Sequence, residues 1–319
     1  MDKLNSNNEE IIEKIAIDDF AKANDLKTIY RSDNEKITFS TVTINRPGLL
    51  LAGFEDYFEN TRIQAIGNAE MYYLQSLSIG DRIEALDKLF SKKVPCVIVA
   101  RGVEPFDEML NAARMNNVPL FVSKKRTFEL VNDLTEYLNV ILAPSVNTHG
   151  VLMDVNGIGV LINGKSGIGK SETALELVHR GHRLVADDVV IMKKIKGEIV
   201  GTAPESIRFF MEIRGVGIID VRRMFGIGSI LFNKNVDLVV ELVKWEQNKE
   251  YERLGKEEKF TDVMGVKLPK MTIPVIPGRN LAIVIEVAAR NYYLKKLGYN
   301  SAAVLDEKIK KEWASGFDS

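Results

Sequence analysis

The sequence predicts an α/β protein of two domains, on three observations. A strand, a glycine-rich loop and a helix follow one another around residues 159–178. Strand and helix signals alternate through residues 95–142. The chain is also 319 residues long, more than one ordinary domain holds. A small N-terminal α/β domain is expected over residues 1–143 and a phosphate-loop domain over residues 144–319.

Residues 9–24 have helical periodicity, with Ile11, Ile12, Ile15 and Phe20 on one side. Residues 28–31 and 37–44 read as strands, Arg46-Pro47-Gly48 as a turn, residues 62–66 as a strand and 82–90 as a helix. The apolar run at 95–100 is a strand, and residues 105–116 form a helix with a proline in its first turn. A strand at 118–122 and a helix at 126–142 complete a βαβα order, which implies a parallel sheet. Arg101-Gly102 follows a strand and reads either as a ligand contact or as an ordinary strand-end turn.

Residues 143–148 are the expected linker, and His149 opens the second domain. Residues 151–155, the turn Asn156-Gly157 and residues 158–163 predict a β-hairpin. Its second arm runs into Gly164-Lys165-Ser166-Gly167-Ile168-Gly169-Lys170-Ser171. This stretch meets the phosphate-loop pattern of Gly, four residues, Gly-Lys-Ser/Thr at every position. Glycines let successive backbone N–H groups turn inward as a nest for phosphate oxygens. Lys170 adds a point charge, the Ser171 hydroxyl can join a magnesium shell, and the following helix favours an anion at its N-terminus. That helix is expected over 171–178, stopped by Gly181. Entry from a hairpin is atypical, because the usual nucleotide-binding fold places the loop after the first strand of a parallel sheet.

A strand at 183–186 ends in Asp187-Asp188. Neighbouring strand residues point to opposite sides, so one of these carboxylates faces the site more directly, to hold magnesium or accept a proton. Further strands are expected at 189–193, 198–202 and 236–242. Residues 281–287 read as a strand passing into a helix near 288–297, and a last helix spans about 302–313. The stretch from Glu212 to Val221 holds Glu212, Arg214, Gly215, Gly217 and Asp220. It admits two readings: a metal ligand with a phosphate clamp, or a helix-to-strand turn with a surface ion pair. His149, from spacing alone, reads as structural, and His179 and His182 as caps of helix carbonyls.

Composition narrows the function classes. Hydrophobic residues at 45% and charged residues at 27% are those of a soluble globular protein, and a net charge of −1 leaves no nucleic-acid footprint. The acidic excess lies in the first domain and the basic excess in the second, which suits an anionic substrate there. Cys96 is the single cysteine, which fits a reducing compartment. A polar start without a signal peptide, and the lack of any apolar run of ~20 residues, lead to the expectation of a cytoplasmic protein with no membrane partner. Three motifs are decoys. The stretch from Asn233 to Asp237 is one residue too long for guanine reading, Asp262-Val263-Met264-Gly265 comes in the wrong order for a GTPase, and Gly226-Ile227-Gly228 lacks a third glycine.

The loop and its helix, the run from Arg180 to Asp188, the stretch from Glu212 to Val221, Arg253-Leu254-Gly255 and the run from Pro274 to Ala282 together closely resemble the HPr kinase/phosphorylase family. The N-terminal half resembles that family less tightly, chiefly in Arg46-Pro47-Gly48. The resemblance implies a phosphoenolpyruvate carboxykinase-like version of the phosphate-loop fold. It implies ATP- and Mg2+-dependent phosphorylation of a regulatory serine on the phosphocarrier HPr. It also implies the reverse activity, in which inorganic phosphate attacks phosphoserine and pyrophosphate leaves; pyrophosphate as a donor stays open. A homohexamer is implied, with the C-terminal helix gripping HPr. By position, Asp188 matches the general base, Lys170 the charge-neutralising lysine, and Ser171 and Glu212 the magnesium ligands. His149 matches an active-site histidine, against the structural reading, and Arg253 a phosphate-contacting arginine. Pro274-Val275-Ile276-Pro277-Gly278-Arg279 matches a dephosphorylation segment. Lys165 stands where many members carry Asp, and is expected to point outward. A small-molecule kinase on the same loop is the alternative reading, and a nucleotide-responsive scaffold without turnover a third.

Overall fold

A computed structural model describes residues 12–247 and 258–315. Its contacts divide the chain into two units that meet between Ala143 and Pro144. The N-terminal unit contains β1 (Glu13–Ala16), α1 (Ile17–Ala23), β2 (Leu26–Tyr30), β3 (Lys36–Phe39), β4 (Ile44–Asn45) and α2 (Gly48–Leu51). It continues with β5 (Ile63–Ile66), α3 (Asn68–Ser76), α4 (Ile79–Ser91), β6 (Val97–Val99), α5 (Asp107–Asn116), β7 (Leu120–Ser123) and α6 (Thr127–Ile141).

The main sheet of this unit runs β2-β7-β6-β5-β4, with β4 to β7 parallel and β2 antiparallel at the edge. Side chains alternate through it. Val97, Val99, Leu120 and Val122 join a core with Leu86, Leu89 and Met109, while Ile98 and Phe121 join one with Phe20, Leu130 and Leu134. Helices therefore cover both faces, as a parallel sheet requires. Capping locates α4: the Ser78 hydroxyl accepts the Asp81 N–H at 3.3 Å, and Ala85, Leu86, Leu89 and Phe90 form the buried face.

The helix expected at 9–24 is half right. Residues 9–11 lie outside the described residues, and Glu13–Ala16 pairs antiparallel with β3, leaving only Ile17–Ala23 helical. Ile15 and Phe20 reach the same core from a strand and a helix, so an apolar spacing of either period fits them. The strand expected at 37–44 splits into β3 and β4, Arg46-Pro47-Gly48 leads into the short α2, and α3 lacked a clear apolar period.

The C-terminal unit contains β8 (Ser145–His149), β9 (Val151–Val155), β10 (Ile158–Gly164), α7 (Lys170–His179), β11 (Arg183–Ala186), β12 (Val189–Ile195) and β13 (Glu198–Thr202). Then come β14 (Phe210–Ile213), β15 (Gly217–Asp220), α8 (Val221–Phe225), β16 (Asn233–Asn235) and β17 (Leu238–Lys244). Last are β18 (Lys259–Val263), β19 (Val266–Val275), α9 (Leu281–Lys296) and α10 (Ser301–Ser315). A six-stranded sheet has the order β11-β9-β10-β17-β19-β18, and a four-stranded sheet the order β16-β13-β12-β8. Val160 and Ile162 pack with Ala174 and Leu177 of α7 and with Ile285 and Ala289 of α9. Leu152, Leu161 and Val185 pack with Val190, Met192 and Ile199 of the smaller sheet. The six-stranded sheet thus lies between helices and a second sheet.

Two expectations about elements of this unit are corrected, and one hairpin is added. Residues 145–149 are no linker: they form β8, paired in register with β12 from Ser145 opposite Lys193 to His149 opposite Val189. Residues 281–287 are the first half of α9, not a strand. Asn280 caps it by accepting the Ile283 N–H at 3.1 Å, and Ala282, Ile285, Ala288 and Ala289 are buried at helical spacing. The β-branched content of this run suggested a strand, and tertiary burial of small residues overrides it. The β18–β19 hairpin was unanticipated, and Asp262-Val263-Met264-Gly265 is its turn, with Met264 and Gly265 both at positive φ.

His182 is not a helix cap. The C-terminus of α7 is closed by backbone donors: Gly181 N–H to Val178 and His182 N–H to Leu177, with Gly181 at φ 94. The imidazole is thereby free to bond elsewhere, and its Nε2 lies 2.7 Å from Glu286 Oε1. Arg180 Nη2 donates to the other Glu286 oxygen at 2.8 Å. This cluster ties the loop helix α7 to α9. The Arg180 hydrogen bond is the first cause, with His182 adding to it, that holds the Glu286 carboxyl down to about 2. A depressed carboxyl stabilises the fold above the unfolded-state carboxylate range, and that contribution is lost as pH falls toward 2. Urea unfolding should find Glu286→Gln about 2 kcal/mol less stable than wild type at pH 7, with the gap closing between about pH 4.5 and 2. A gap that stays constant through that range would show that the charge is not what matters.

Candidate active site

The phosphate loop leaves the carboxyl end of β10. Gly164 has φ 152, and a Cβ there would lie 2.7 Å from the Leu242 carbonyl oxygen of the neighbouring strand β17. Gly167 is at φ 74, and a Cβ there would meet the Arg214 guanidinium at 3.5 Å. Gly164 is demanded by this close approach and Gly167 by its positive φ. Lys165 and Ser166 are exposed while Ile168 is buried and anchors the loop in the core. Lys170 Nζ donates to the carbonyls of Gly164 at 3.1 Å and Lys165 at 3.4 Å, which ties the ammonium to the loop. Gly169, at φ 99, precedes the first turn of α7, so the free N–H groups of that turn continue those of the loop.

Strand direction brings the other groups to the same edge. β10 is parallel to β17, which is parallel to β19, and antiparallel to β9, which is antiparallel to β11. The carboxyl ends of β10, β11, β17 and β19 and the start of β9 therefore share one edge of the sheet. Asp187-Asp188 arrives after β11 and His149-Gly150 just before β9. Gly150 N–H donates to the Asp188 carbonyl at 3.0 Å, which binds these two segments.

The two aspartates separate. Asp187 is buried, at 5% exposure, and accepts the Ser171 hydroxyl at 3.0 and 3.2 Å and the Glu212 N–H at 3.3 Å. Burial raises its carboxyl above the ordinary range, and the hydrogen bonds from Ser171, Glu212 and Asp188 pull the other way. Asp188 is the exposed one, at φ 65, with its side chain 78% accessible. Its Oδ1 lies 3.8 Å from His149 Nδ1, within charge-pair reach and beyond a hydrogen bond. One carboxylate thus braces the loop serine, and the other stands at the surface beside the histidine.

The stretch from Glu212 to Val221 is neither a helix-to-strand turn nor a surface ion pair between Glu212 and Arg214. It is the β14–β15 hairpin, closed by the Val216 N–H bond to the Ile213 carbonyl at 3.0 Å. Met211 and Ile213 are buried and Glu212 is exposed, the alternation of a strand over a core. Gly215 and Gly217 take positive φ in the turn, and Arg214 reaches over the phosphate loop at Gly167. Asp220 caps α8, accepting the Arg223 N–H at 3.0 Å. Pro274 and Val275 end β19 opposite Val243 and Lys244. Ile276, Pro277, Gly278 and Arg279 follow as an exposed turn before α9, so this segment lies on the same edge of the sheet as the phosphate loop, two strands from the loop strand. Arg253 lies outside the described residues.

The contact that residue reading left open was the role of Asp187. Its signal was present in the sequence, as the first carboxylate after an apolar strand, but the choice between it and Asp188 needed the strand's final twist.

Fold and site define a phosphate-loop protein whose loop faces paired carboxylates at the strand ends. The family comparison carries this further: residues 15–138 match the HPr Serine kinase N terminus and residues 140–309 the HPr Serine kinase C-terminal domain. The chain is 45% identical over 302 residues to an HPr kinase/phosphorylase of Caldanaerobacter subterraneus subsp. tengcongensis, covering 94% of this chain and 99% of that one. It is 46% identical over 283 residues to an HPr kinase/phosphorylase of Caldicellulosiruptor bescii, covering 88% and 91%. Among solved structures it is similar to the Hpr(Ser) kinase/phosphatase from Coxiella burnetii, with 36% identity and a TM-score of 0.46 over 50% of this chain and 98% of that one. The chain belongs to the HPr kinase/phosphorylase family.

The loop geometry makes a direct prediction. Gly164→Ala should lower stability to urea by about 1–3 kcal/mol, because the methyl group has nowhere to go but against the Leu242 carbonyl. An unchanged unfolding midpoint would show that β17 gives way freely.

Proposed function

We propose that this protein transfers the terminal phosphoryl group of ATP to a serine hydroxyl of HPr, and that the same site dephosphorylates phosphoserine-HPr. The observation that carries the reading is the shared edge in this family member, where the phosphate loop, a buried and an exposed aspartate, and a histidine meet. In the forward direction the serine oxygen forms a bond to the terminal phosphorus, the bond to the bridging oxygen breaks, and ADP leaves. Asp188, exposed and beside His149, accepts the serine proton. In reverse, an oxygen of inorganic phosphate attacks the phosphoserine phosphorus, Asp188 returns its proton to the departing serine oxygen, and pyrophosphate is released.

The loop N–H groups, Lys170 and Arg214 are placed to hold and neutralise the transferred phosphoryl group. The donor chemistry fits Mg2+, since the Ser171 hydroxyl, Asp187 and Glu212 offer oxygen ligands only. Ser171 and Glu212 would hold the ion, which when bound supplies charge neutralisation between phosphate oxygens. In this reading Arg253 contacts phosphate, and the run from Pro274 to Arg279 serves the reverse reaction. The hairpin entry of β9 and β10 supports a phosphoenolpyruvate carboxykinase-like version of the phosphate-loop fold. Residues 144–319 are the catalytic domain, residues 1–143 an accessory domain, the assembly a homohexamer that grips HPr with its C-terminal helix, and the setting the cytoplasm. Among the described residues no helix is long and apolar enough to cross a membrane.

Incubating the protein with Mg2+, ATP and HPr should give HPr one phosphoryl group heavier by intact mass, on serine. Adding inorganic phosphate to the phosphorylated HPr should give pyrophosphate. A folded sample that yields neither product overturns the proposal, and transfer to a metabolite alone would favour a small-molecule kinase. Asp188→Asn should cut transfer by about 10²-fold or more while ATP affinity is retained, since the cradle is intact. Loss of ATP binding with normal transfer at saturating nucleotide would remove Asp188 from the role of base.

A further inference from the structure

The N-terminal unit has a cavity of about 440 Å³ that the phosphotransfer chemistry does not use. It is lined by Arg46, Arg101, Arg126, Ala69, Thr127 and Phe128, with Asn68 and Glu129 completing its wall. The size is that of a site for a small metabolite. From this cavity we infer that the N-terminal unit binds a small organic phosphate monoester, with the three guanidinium groups around its phosphate.

The topology explains why three arginines converge. Arg46 follows β4, Arg101 comes two residues after β6, and Arg126 lies between β7 and α6. These strands are parallel neighbours around β5, so all three residues sit at the carboxyl edge of the sheet. That edge is where open α/β sheets receive their ligands. Two helices also begin there, α3 at Asn68 and α6 at Thr127, and the N–H groups of their first turns add positive potential. Gly67, which joins β5 to α3, has no room for a side chain: a Cβ would lie 2.6 Å from Thr127 Oγ1. The two helix starts are therefore pressed together at the cavity.

The charge of the lining is cancelled only in part. Arg46 is paired with the buried Glu70 at 2.8 Å, and Glu70 also accepts the Gly67 N–H at 2.9 Å, so it holds Arg46 in place. Glu129 accepts the backbone N–H of Arg126 at 3.0 Å. Among the described residues the guanidinium groups of Arg101 and Arg126 have no ion-pair partner. Arg101 is also held at φ 64, unusual for a residue with a side chain, by its N–H bond to the Lys125 carbonyl at 2.9 Å, and Gly102 N–H bonds Ser123 at 2.8 Å. A planar guanidinium suits bidentate contact with phosphate oxygens. Phe128 and Ala69 add an apolar wall with no use for inorganic phosphate, which is why an organic ester is the fitting ligand.

Calorimetric titration of the full chain tests this, with AMP, ribose 5-phosphate and inorganic phosphate as probes. At least one ester should bind the wild type more tightly than inorganic phosphate does. Lys170→Ala should keep that binding, because the phosphate loop is a separate site. Arg101→Ala/Arg126→Ala should weaken it at least tenfold at an unchanged melting temperature, and Arg101→Lys/Arg126→Lys should restore part of it. A nucleoside preference for AMP over ribose 5-phosphate would identify stacking on Phe128, and the reverse a sugar phosphate; both support the site. The inference is overturned by no binding of either ester at millimolar concentration, by equal affinity for inorganic phosphate, by binding that survives the double alanine variant, or by its loss in Lys170→Ala.

Discussion

The direction of one strand organises the C-terminal unit. β9 runs antiparallel between β10 and β11, so its beginning lies where its two neighbours end. Had it run the other way, His149 would sit at the far edge of the sheet from the phosphate loop. As it is, the loop, the aspartate pair and the histidine come from three consecutive segments of the sheet and meet without any long connection. The parallel strands β17 and β19 then extend the same edge, which is why the exposed turn from Ile276 to Arg279 stands on it too.

Within that edge, burial divides labour between groups of the same chemistry. Asp187 and Asp188 are adjacent, yet one is held inside by a serine hydroxyl and a strand amide while the other turns outward at positive φ. A buried carboxylate with three hydrogen-bond donors is fixed in place and suits a structural or ligand-holding role. An exposed one beside a histidine is reachable by a protein substrate. The β14–β15 hairpin links the two arrangements, since its backbone holds Asp187 and its turn brings Arg214 onto the loop. The His182, Arg180 and Glu286 cluster secures the other end of the loop helix. The helix that begins in the phosphate nest is thus pinned at both ends.

Much of this was legible in the residues. The phosphate loop, its hairpin and its helix are local features, set by glycine positions and apolar runs of clear period. The βαβα order from Val97 to Ile141 was legible for the same reason. What misled was short or mixed signal: the apolar run at 281–287 is β-branched but helical, residues 13–16 share spacing with the helix after them, and residues 145–149 are polar enough to pass for a linker. In each case a partner far away in sequence decided the outcome, whether α7 and the sheet under α9, β3 beside β1, or β12 beside β8.

By itself, then, the sequence determined that a phosphate-loop pattern stands at Gly164 to Ser171, that carboxylates close a nearby strand, and which family's motifs the chain shares, because these depend on residue type and short spacing. Only the tertiary structure decided which aspartate is buried, that Arg214 lies over Gly167, that Asp220 is a cap, and that three arginines some 25 to 80 residues apart surround one cavity. Those facts follow from strand order and direction, and strand order is set by burying whole faces at once, which no short window of residues contains.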